Sequence, residues 1–402
     1  MDAMNLPEHF ELTPEEDLRR RIDGLKRSMA EAGIDFAVIL QNVDMFYLAG
    51  SIQQGALVIP VEEEPLFFVQ KSTERALLET PLTVVPIASD REIKDILLGK
   101  GLLKGTGGME LDVIPVATFE RFKRIIGFER FVDVSPLIKE LRVIKSSFEI
   151  EQIIKSGAIM SHVFERARYV VKEGVREIDI DAELAAEGRK FGHHGFLRMR
   201  GLNQEMQTIT VATGSTGAAP SYADVPIAGI GMTPAIPQGS SKNRVERGVP
   251  VTIDYGGGHN GYITDETRAF VVGELKELFR KPYELAREII EDAATFGKEG
   301  VNATELFDRA QRVVKKARLE EHFLGYGPGR VSFIGHGLGL EINELPVITP
   351  RHSRVLKEGM VFAFEPKFVF PGEGVIGIEV DFIVRKDRLE RVTDTSIDLV
   401  RV

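Results

Sequence analysis

The chain has 402 residues, with 51 Lys and Arg against 61 Asp and Glu, which gives a formal net charge of −10 at pH 7. It contains no Cys, which excludes disulfides, thiolate nucleophiles and zinc or iron–sulfur sites built on cysteine. The length predicts two or three domains, and the acidic balance argues against nucleic acid as a partner, because phosphate binding needs a basic patch.

Residues 1–143 predict an α/β domain in which helices and strands alternate. Thr13 followed by Pro14 is typical of a helix N-cap with proline at the first helical position, so a helix is expected from there to Gly33. Residues 35–40 form a short apolar run that predicts a buried strand. Further strands are predicted near 56–60, 66–69, 82–87 and 109–114, and further helices near 73–78, 92–98 and 117–126.

The N-terminal segment has neither the basic nor the apolar part of a secretory signal, and no apolar run reaches the roughly 18 residues of a transmembrane helix. We therefore expect a cytoplasmic protein with no membrane partner.

A second domain is expected over residues 144–402. Ser146 or Ser147 is placed to cap a helix over residues 148–172, with Glu149 in its first turn. Further helices are predicted near 178–191, 275–297 and 304–316, and strands near 208–212, 249–255, 261–272, 361–370 and 375–384. Residues 213–248, rich in Gly, Pro, Ser and Ala, predict a long loop, and loops of that length are often functional.

Two β-rich runs flank a Gly-rich turn that contains Asn260 and Gly261, which is a strong hairpin pattern. With the turn centred near His259 and Asn260, Asp254 and Asp265 would face each other with their Cβ atoms ~5 Å apart. Opposed carboxylates repel each other unless a cation or a proton lies between them. The alternative is that the two Asp residues only cap and solubilise a turn.

A second hairpin repeats this arrangement over residues 361–384, with its turn at 371–374. Glu365 and Glu379 would face each other in strongly apolar strands, where an unpaired carboxylate is costly. An ion pair explains one buried Glu. Two opposed Glu, together with two opposed Asp in another hairpin, are best explained by shared divalent cations.

His336 lies between two glycines, where backbone can approach closely and the imidazole can project. A single His is more often structural or solvated than a ligand. With four carboxylates arranged as above, we interpret His336 as the residue that completes a nitrogen and oxygen ligand set.

These five residues, in this order and context, resemble the prolidase, aminopeptidase P, methionine aminopeptidase and creatinase family, and most of all its Xaa-Pro dipeptidase and aminopeptidase P-like members. The matching stretches are Asp-Tyr-Gly with Gly-Tyr-Ile-Thr-Asp-Glu-Thr-Arg, Gly-His-Gly-Leu-Gly-Leu, and Phe-Glu-Pro followed by Ile-Glu. The resemblance implies a creatinase/prolidase-like domain over 1–143 and an α+β pita-bread catalytic domain over 144–402. It also implies a homodimer and two divalent ions of manganese, cobalt, zinc or iron.

The resemblance further implies a role for each of the five residues. Asp254 and Glu379 would be ligands that span the metal site, and Asp265 and His336 would each be a ligand on one side of it. Glu365 would be both ligand and general base. Two ions about 3.5 Å apart would lower the pKa of a bridging water and polarise the scissile carbonyl. The expected enzyme is a metallopeptidase that cleaves short peptides at the N-terminus, as Xaa-Pro dipeptidases and aminopeptidase P do.

The chain departs from this family at positions that bind substrate. Ser221 and Asn343 stand where the peptidases carry His, Ser332 stands where a further His is common, and Gly377 stands where Arg is common. Ser and Asn donate hydrogen bonds but are neither cationic nor general acids near pH 7. We therefore expect an atypical substrate pocket, with Ser221 and Asn343 as candidate substrate-binding residues.

The run over residues 191–200 supplies four more candidates for substrate binding. These are His193, His194, Arg198 and Arg200. In the family this segment lies near the mouth of the active site, and we hypothesise that a His or an Arg from it enters the pocket and favours another substrate, such as one with a carboxylate. The alternative is a solvated loop or a helix end whose basic side chains favour the helix dipole.

Two other functions stay open at this point. The substituted pocket residues favour a creatinase-like or other hydrolase that cleaves C–N bonds in a non-peptide small molecule, although the full ligand set argues against metal-free chemistry. The second is a non-catalytic pita-bread binding protein. Members of that kind usually lose metal ligands, and this chain keeps all five.

Overall fold

The computed structural model describes residues 5–102, 105–128, 130–203 and 205–402. These residues divide into two units. The first extends to Arg142 and includes residues 200–203, and the second comprises residues 143–199 and 205–402. Within the described ranges, no helix is both long and apolar enough to cross a membrane.

The first unit is a mixed sheet with helices. Its strands are β1 (Phe36–Ile39), β2 (Gly55–Pro60), β3 (Leu66–Val69), β4 (Thr83–Pro86), β5 (Gly107–Met109) and β6 (Phe131–Asp133). Its helices are α1 (Glu15–Glu31), α2 (Asn42–Ala49), α3 (Thr73–Glu79), α4 (Arg91–Gly99), α5 (Val116–Ile126) and α6 (Ser135–Leu141). The strand order is β4-β3-β2-β1-β5-β6, and β1 pairs antiparallel with β2 and parallel with β5. Apolar residues of α4 and α5 pack on this sheet and form its core.

The start of α1 differs from the sequence prediction. The helix begins at Glu15, so Pro14 takes the N-cap position and Thr13 lies one residue too far upstream to cap it. The buried Thr13 hydroxyl has no hydrogen-bond partner among the described residues. The predicted Thr13 cap is therefore wrong, because Pro14 is extended (ψ 140°) and continues the preceding chain.

The second unit carries two larger sheets, each backed by helices. Its helices are α7 (Ser147–Val170), α8 (Glu177–Lys190), α9 (Gly214–Gly217), α10 (Glu277–Phe296) and α11 (Ala303–Ala317). Its strands are β7 (Ile209–Thr213), β8 (Pro250–His259), β9 (Tyr262–Val271), β10 (Gly335–Gly337), β11 (Glu344–Ile348), β12 (Val361–Phe364), β13 (Lys367–Phe370), β14 (Gly374–Gly377), β15 (Val380–Val384), β16 (Leu389–Arg391) and β17 (Val400–Arg401). One sheet has the order β17-β9-β8-β7, another β11-β10-β12-β15-β16, and β13 pairs with β14 alone.

The helices of this unit cover the sheets with apolar faces. Residues of α7 and α8 share a buried core with β7, β8 and β9, and residues of α10 and α11 share another with β12 and β15. Ser146 and Glu149 form a reciprocal capping box at the start of α7, which confirms one of the two predicted caps.

The turn of the first hairpin lies one residue later in the chain than predicted, so each residue of β8 faces a partner two positions further along β9. Asn260 and Gly261 both have positive φ (48° and 84°) and form the two-residue turn, so Asp254 faces Thr267 and Asp265 faces Gly256. The predicted direct opposition of Asp254 and Asp265 is therefore wrong. Because the displacement is two residues and side chains alternate with a period of two, both carboxylates still lie on one face.

The second hairpin is broken in the middle of both strands. The predicted strand 361–370 divides into β12 and β13, and the predicted strand 375–384 divides into β14 and β15. Pro366 lacks the N–H that a ladder requires, which explains the break after Glu365. The backbone N–H groups of Glu365 and Glu379 donate instead to Ile334 (2.8 Å) and Thr267 (3.1 Å). The two glutamates thus lie where the two strands of this hairpin are interrupted.

Candidate metal centre

Five predicted ligands come from five different segments of the second unit. Asp254 lies on β8, Asp265 on β9 and His336 on β10, while Glu365 and Glu379 occupy the breaks between β12 and β13 and between β14 and β15. Asp265, Glu365 and Glu379 are buried, with 6%, 3% and 1% of their surface exposed. Burial of three carboxylates in one region needs compensating positive charge.

Three of these residues form a group that fits one metal ion. Ligand atoms of Asp265, His336 and Glu379 all lie within 4.8 Å of one another. His336 Nε2 is 3.8 Å from Asp265 Oδ2 and 3.9 Å from Glu365 Oε1. Metal–ligand bonds of roughly 2.0–2.2 Å would draw such atoms around one cation. Asp265 and His336 therefore lie close enough to bind the same ion, and the separate sides expected for them stay a prediction.

Lys367, which is not among the residues predicted from the sequence, lies among the same carboxylates. Its Nζ donates to Glu379 Oε2 at 2.6 Å, to Glu365 Oε2 at 3.0 Å and to Asp254 Oδ2 at 3.3 Å. Only 2% of the Lys367 side chain is exposed. The signal was present in the sequence, since a Lys two residues after Glu365 in an apolar strand shares the face of that glutamate.

The electrostatics of the cluster show an excess of negative charge. Burial and the carboxylates of Glu379 and Asp254 raise the pKa of Asp265 well above its usual range. Burial also raises the pKa of Glu379, although the Lys367 ammonium opposes that shift. Burial lowers the pKa of Lys367, but the carboxylates around it outweigh burial and hold the pKa well above normal. The single positive charge of Lys367 therefore does not neutralise the carboxylates of the cluster, and a bound divalent cation would supply the missing positive charge.

Neighbouring side chains fix the positions of the ligands. Thr267 Oγ1 donates to Glu379 Oε2 at 2.8 Å, and the Asp265 N–H donates to Asp381 Oδ2 at 2.8 Å. Arg268 Nη1 donates to the backbone oxygen of Glu379 at 2.6 Å, and its Nη2 donates to Glu266 Oε2 at 2.7 Å. Such contacts around a metal site orient the ligands.

The candidate substrate residues Ser221 and Asn343 lie in loops. Ser221 is partly buried and its Oγ accepts from the Ala223 N–H at 2.9 Å, while Asn343 is exposed directly before β11. A small cavity of about 280 Å³ lies in the second unit, near the loop that contains Ser221. Its wall includes Pro220, the residue before Ser221, and Val369 on β13, two residues beyond Lys367. The cavity thus links the loop of Ser221 to the strand that carries the central lysine.

His193 and His194 have different environments. His193 is 3% exposed, its Nδ1 accepts from the Gly195 N–H at 2.8 Å and its Nε2 lies 3.0 Å from the Gly256 oxygen. Both ring nitrogens of His193 are therefore engaged by backbone. His194 lies over Gly258, its Nδ1 is without a partner among the described residues, and burial together with the neighbouring His193 lowers its pKa to about 4.

The two arginine candidates belong to different units. Arg198 is partly buried near Glu341, and its backbone oxygen accepts from the Ile342 N–H at 2.9 Å, so it lies beside the loop that leads to Asn343. Arg200 belongs to the first unit, where it binds Asp44 and Asp112 with contacts of 2.8–2.9 Å. Those contacts engage the guanidinium of Arg200 inside the first unit.

Comparison with known proteins gives matches across both units. Residues 151–386 match Metallopeptidase family M24, and residues 21–144 match the Creatinase/Prolidase N-terminal domain. The chain is 30% identical over 385 residues to the Xaa-Pro dipeptidase of Pyrococcus furiosus, covering 95% of this chain and all of that protein.

Solved structures agree with these matches. The prolidase from Pyrococcus horikoshii OT3 superposes with a TM-score of 0.80 at 26% identity, covering 95% of this chain and 100% of that one. The Xaa-Pro dipeptidase from Bacillus anthracis superposes with a TM-score of 0.82 at 26% identity, covering 96% and 100%. These neighbours confirm the predicted fold class, in which an N-terminal α/β domain is followed in the chain by a pita-bread domain.

Proposed function

The chain belongs to metallopeptidase family M24, and from this premise we propose that it is an Xaa-Pro dipeptidase or an aminopeptidase P-like peptidase that cleaves short peptides at the N-terminus. The observation that carries the proposal is the convergence of Asp265, His336 and Glu379 within 4.8 Å in a chain that is 30% identical to an Xaa-Pro dipeptidase over nearly its whole length.

The residues present fit the divalent metal that this family implies. Asp265, His336 and Glu379 would hold an ion, with Glu365 Oε1 near enough to His336 to join them. Asp254 is the fifth ligand of the proposed set. The resemblance implies two ions of manganese, cobalt, zinc or iron, whereas the ligand atoms grouped most closely suffice for one. When bound, such an ion would polarise a carbonyl and lower the pKa of water.

Glu365 is proposed as the general base. Lys367 donates to its Oε2, which leaves Oε1 directed toward His336. A carboxylate held in this way can take a proton from the attacking water and deliver it to the leaving amine. Lys367 would keep that carboxylate in one orientation throughout the cycle.

The substrate pocket is proposed to include the loop of Ser221, the loop of Asn343 and Arg198. The cavity beside Pro220 is formed mainly by Ala, Pro, Gly and Val, which suits an apolar ring such as that of proline. His194, half-buried and neutral above pH 4, is retained as a further candidate, whereas His193 and Arg200 already have their polar atoms engaged elsewhere.

The test is hydrolysis of a panel of Xaa-Pro dipeptides, longer peptides with proline in second position, and matched dipeptides without proline. We expect hydrolysis of a prolyl substrate that requires added divalent metal and is lost in Asp265→Ala and Glu365→Gln. Protein that binds no divalent ion under any loading condition would contradict the proposal.

A second candidate is hydrolysis of a C–N bond in a non-peptide small molecule. Ser221 and Asn343 favour it, because neither can supply the imidazole that prolyl peptidases of this family use. Small amides added to the same panel separate the two candidates. The homodimer and the cytoplasmic location stay predictions, and sedimentation of the full chain tests the first of them.

A further inference from the structure

Lys367 Nζ lies among the carboxylates of three of the five proposed metal ligands. We propose that its ammonium group replaces the second metal ion, so that this centre binds a single divalent cation. The inference rests on the proposed function, because it gives the number of ions that the same five ligands bind.

The contacts of Lys367 match those of a bound cation. Nζ reaches one oxygen on each of Asp254, Glu365 and Glu379, and these oxygens come from three separate segments of the chain. An ammonium group has three N–H donors, and here each has a carboxylate acceptor at 2.6–3.3 Å. The ammonium is therefore fully bonded where it lies.

The remaining ligand atoms hold one ion. Asp265, His336 and Glu379 form the described group whose atoms converge within 4.8 Å, and Asp254 is outside it. A second ion would need Asp254 and Glu379, whose Oδ2 and Oε2 already accept from Lys367. An ion bound to those same oxygens would be forced close to a group of like charge.

The strand pair β13–β14 is shaped to admit this side chain. Lys367 pairs with Gly377, and a Cβ at position 377 would come within 2.7 Å of Lys367 Cα and 2.8 Å of its Cγ. Real Cβ atoms do not approach so closely, so a side chain at 377 would displace the lysine. The Lys367 oxygen also accepts from the Leu324 N–H at 2.9 Å, which fixes the backbone from the other side.

The experiment is a metal count on the full chain. Metal-free wild type, Lys367→Ala, Lys367→Arg and Lys145→Ala would each be loaded with Mn²⁺, freed of excess by gel filtration and measured by elemental analysis and electron paramagnetic resonance. Lys145→Ala is the matched control, because Lys145 is also buried and donates to a glutamate, Glu344, at 3.1 Å.

We expect one Mn²⁺ per chain with the spectrum of an isolated ion in wild type, Lys367→Arg and Lys145→Ala. In Lys367→Ala we expect two ions per chain with a spin-coupled spectrum. Two ions in wild type would overturn this inference and leave the proposed function standing, whereas no ion in wild type would overturn both. A folded Lys367→Ala protein, checked by circular dichroism, that still binds one ion would also overturn the inference.

Discussion

Arg268 donates a hydrogen bond from Nη1 to the backbone oxygen of Glu379, at 2.6 Å. The same guanidinium is paired with Glu266, and both side chains are buried, at 1% and 0% exposure. A structural ion pair therefore fixes the backbone of a proposed ligand directly beside the metal centre.

Replacing Arg268 by Met should lower both stability and metal affinity. The change leaves the Glu266 carboxylate buried without its cation, which typically costs about 3–5 kcal/mol. It also releases the backbone of Glu379, and loss of such support usually weakens metal binding by about 10–100-fold. Urea unfolding of the metal-free protein and calorimetric titration with Mn²⁺ measure the two effects.

The control for this prediction is Arg401→Met, which removes an exposed ion pair with Glu274. Exposed pairs contribute about 0–1 kcal/mol, so we expect little change in either measurement. Equal effects of Arg268→Met and Arg401→Met would contradict the role given to Arg268.

His193→Ala should reduce stability without changing the chemistry. The imidazole links the Gly195 N–H to the oxygen of the buried Gly256, and its removal leaves that oxygen unsatisfied at a cost of about 1–3 kcal/mol. We expect a lower midpoint of unfolding and an unchanged kcat/KM for the folded enzyme. His352→Ala, at an exposed position, serves as control. A loss of kcat/KM in His193→Ala at full folding would return this residue to the substrate site.

His194 should make the protein less stable as the pH falls from 6.5 to 4. Its pKa in the folded protein is about 4, lowered by burial, against the ordinary value of 6.5. Between these values the unfolded chain binds a proton that the folded chain does not, so unfolding becomes easier on acidification. His194→Gln should remove on the order of 3 kcal/mol of this dependence. Equal slopes of unfolding free energy against pH for the two proteins would contradict the burial of a neutral imidazole.

Asn343→His, alone or with Ser221→His, should raise prolyl hydrolysis. A single donor that stabilises the developing oxyanion is worth on the order of 10²–10³ in rate. Asn343 is exposed at the loop before β11, so a larger ring meets little steric resistance there. The measurement is kcat/KM on Xaa-Pro dipeptides with metal saturating. A variant that gains nothing on prolyl substrates while folding normally would favour the non-peptide alternative.

Much of the fold could be predicted because the hydrophobic periodicity is strong. The helix predicted over 148–172 is α7, and the one predicted over 178–191 is α8, each within one or two residues of its observed bounds. The hairpin register could not be predicted as well, because it depends on which two residues of a Gly-rich run adopt positive φ. The two residues are Asn260 and Gly261, one position later in the chain than the predicted turn at His259 and Asn260.

The candidate site shows the same division between local and tertiary information. The ligand residues were recognisable because each lies in a distinctive short motif. The contacts of Arg200 could not be predicted from its neighbours in sequence, since its partner Asp44 is 156 residues away. The role of Lys367 could not be predicted in the same way. Its apolar neighbours in sequence indicate only a strand, and the carboxylates around it are brought together by the strand breaks at Pro366 and Glu379.

The placement of residues 200–203 within the first unit has a consequence for how this protein can be divided or recombined. A fragment that ends at Arg142 contains Asp44 and Asp112 but lacks the arginine that bridges them. The N-terminal part therefore receives one of its buried cations from a stretch of chain that returns after α8. Exchange of N-terminal domains between relatives by a single crossover near residue 143 would separate Arg200 from Asp44 and Asp112. A functional exchange would have to transfer residues 200–203 together with the N-terminal segment.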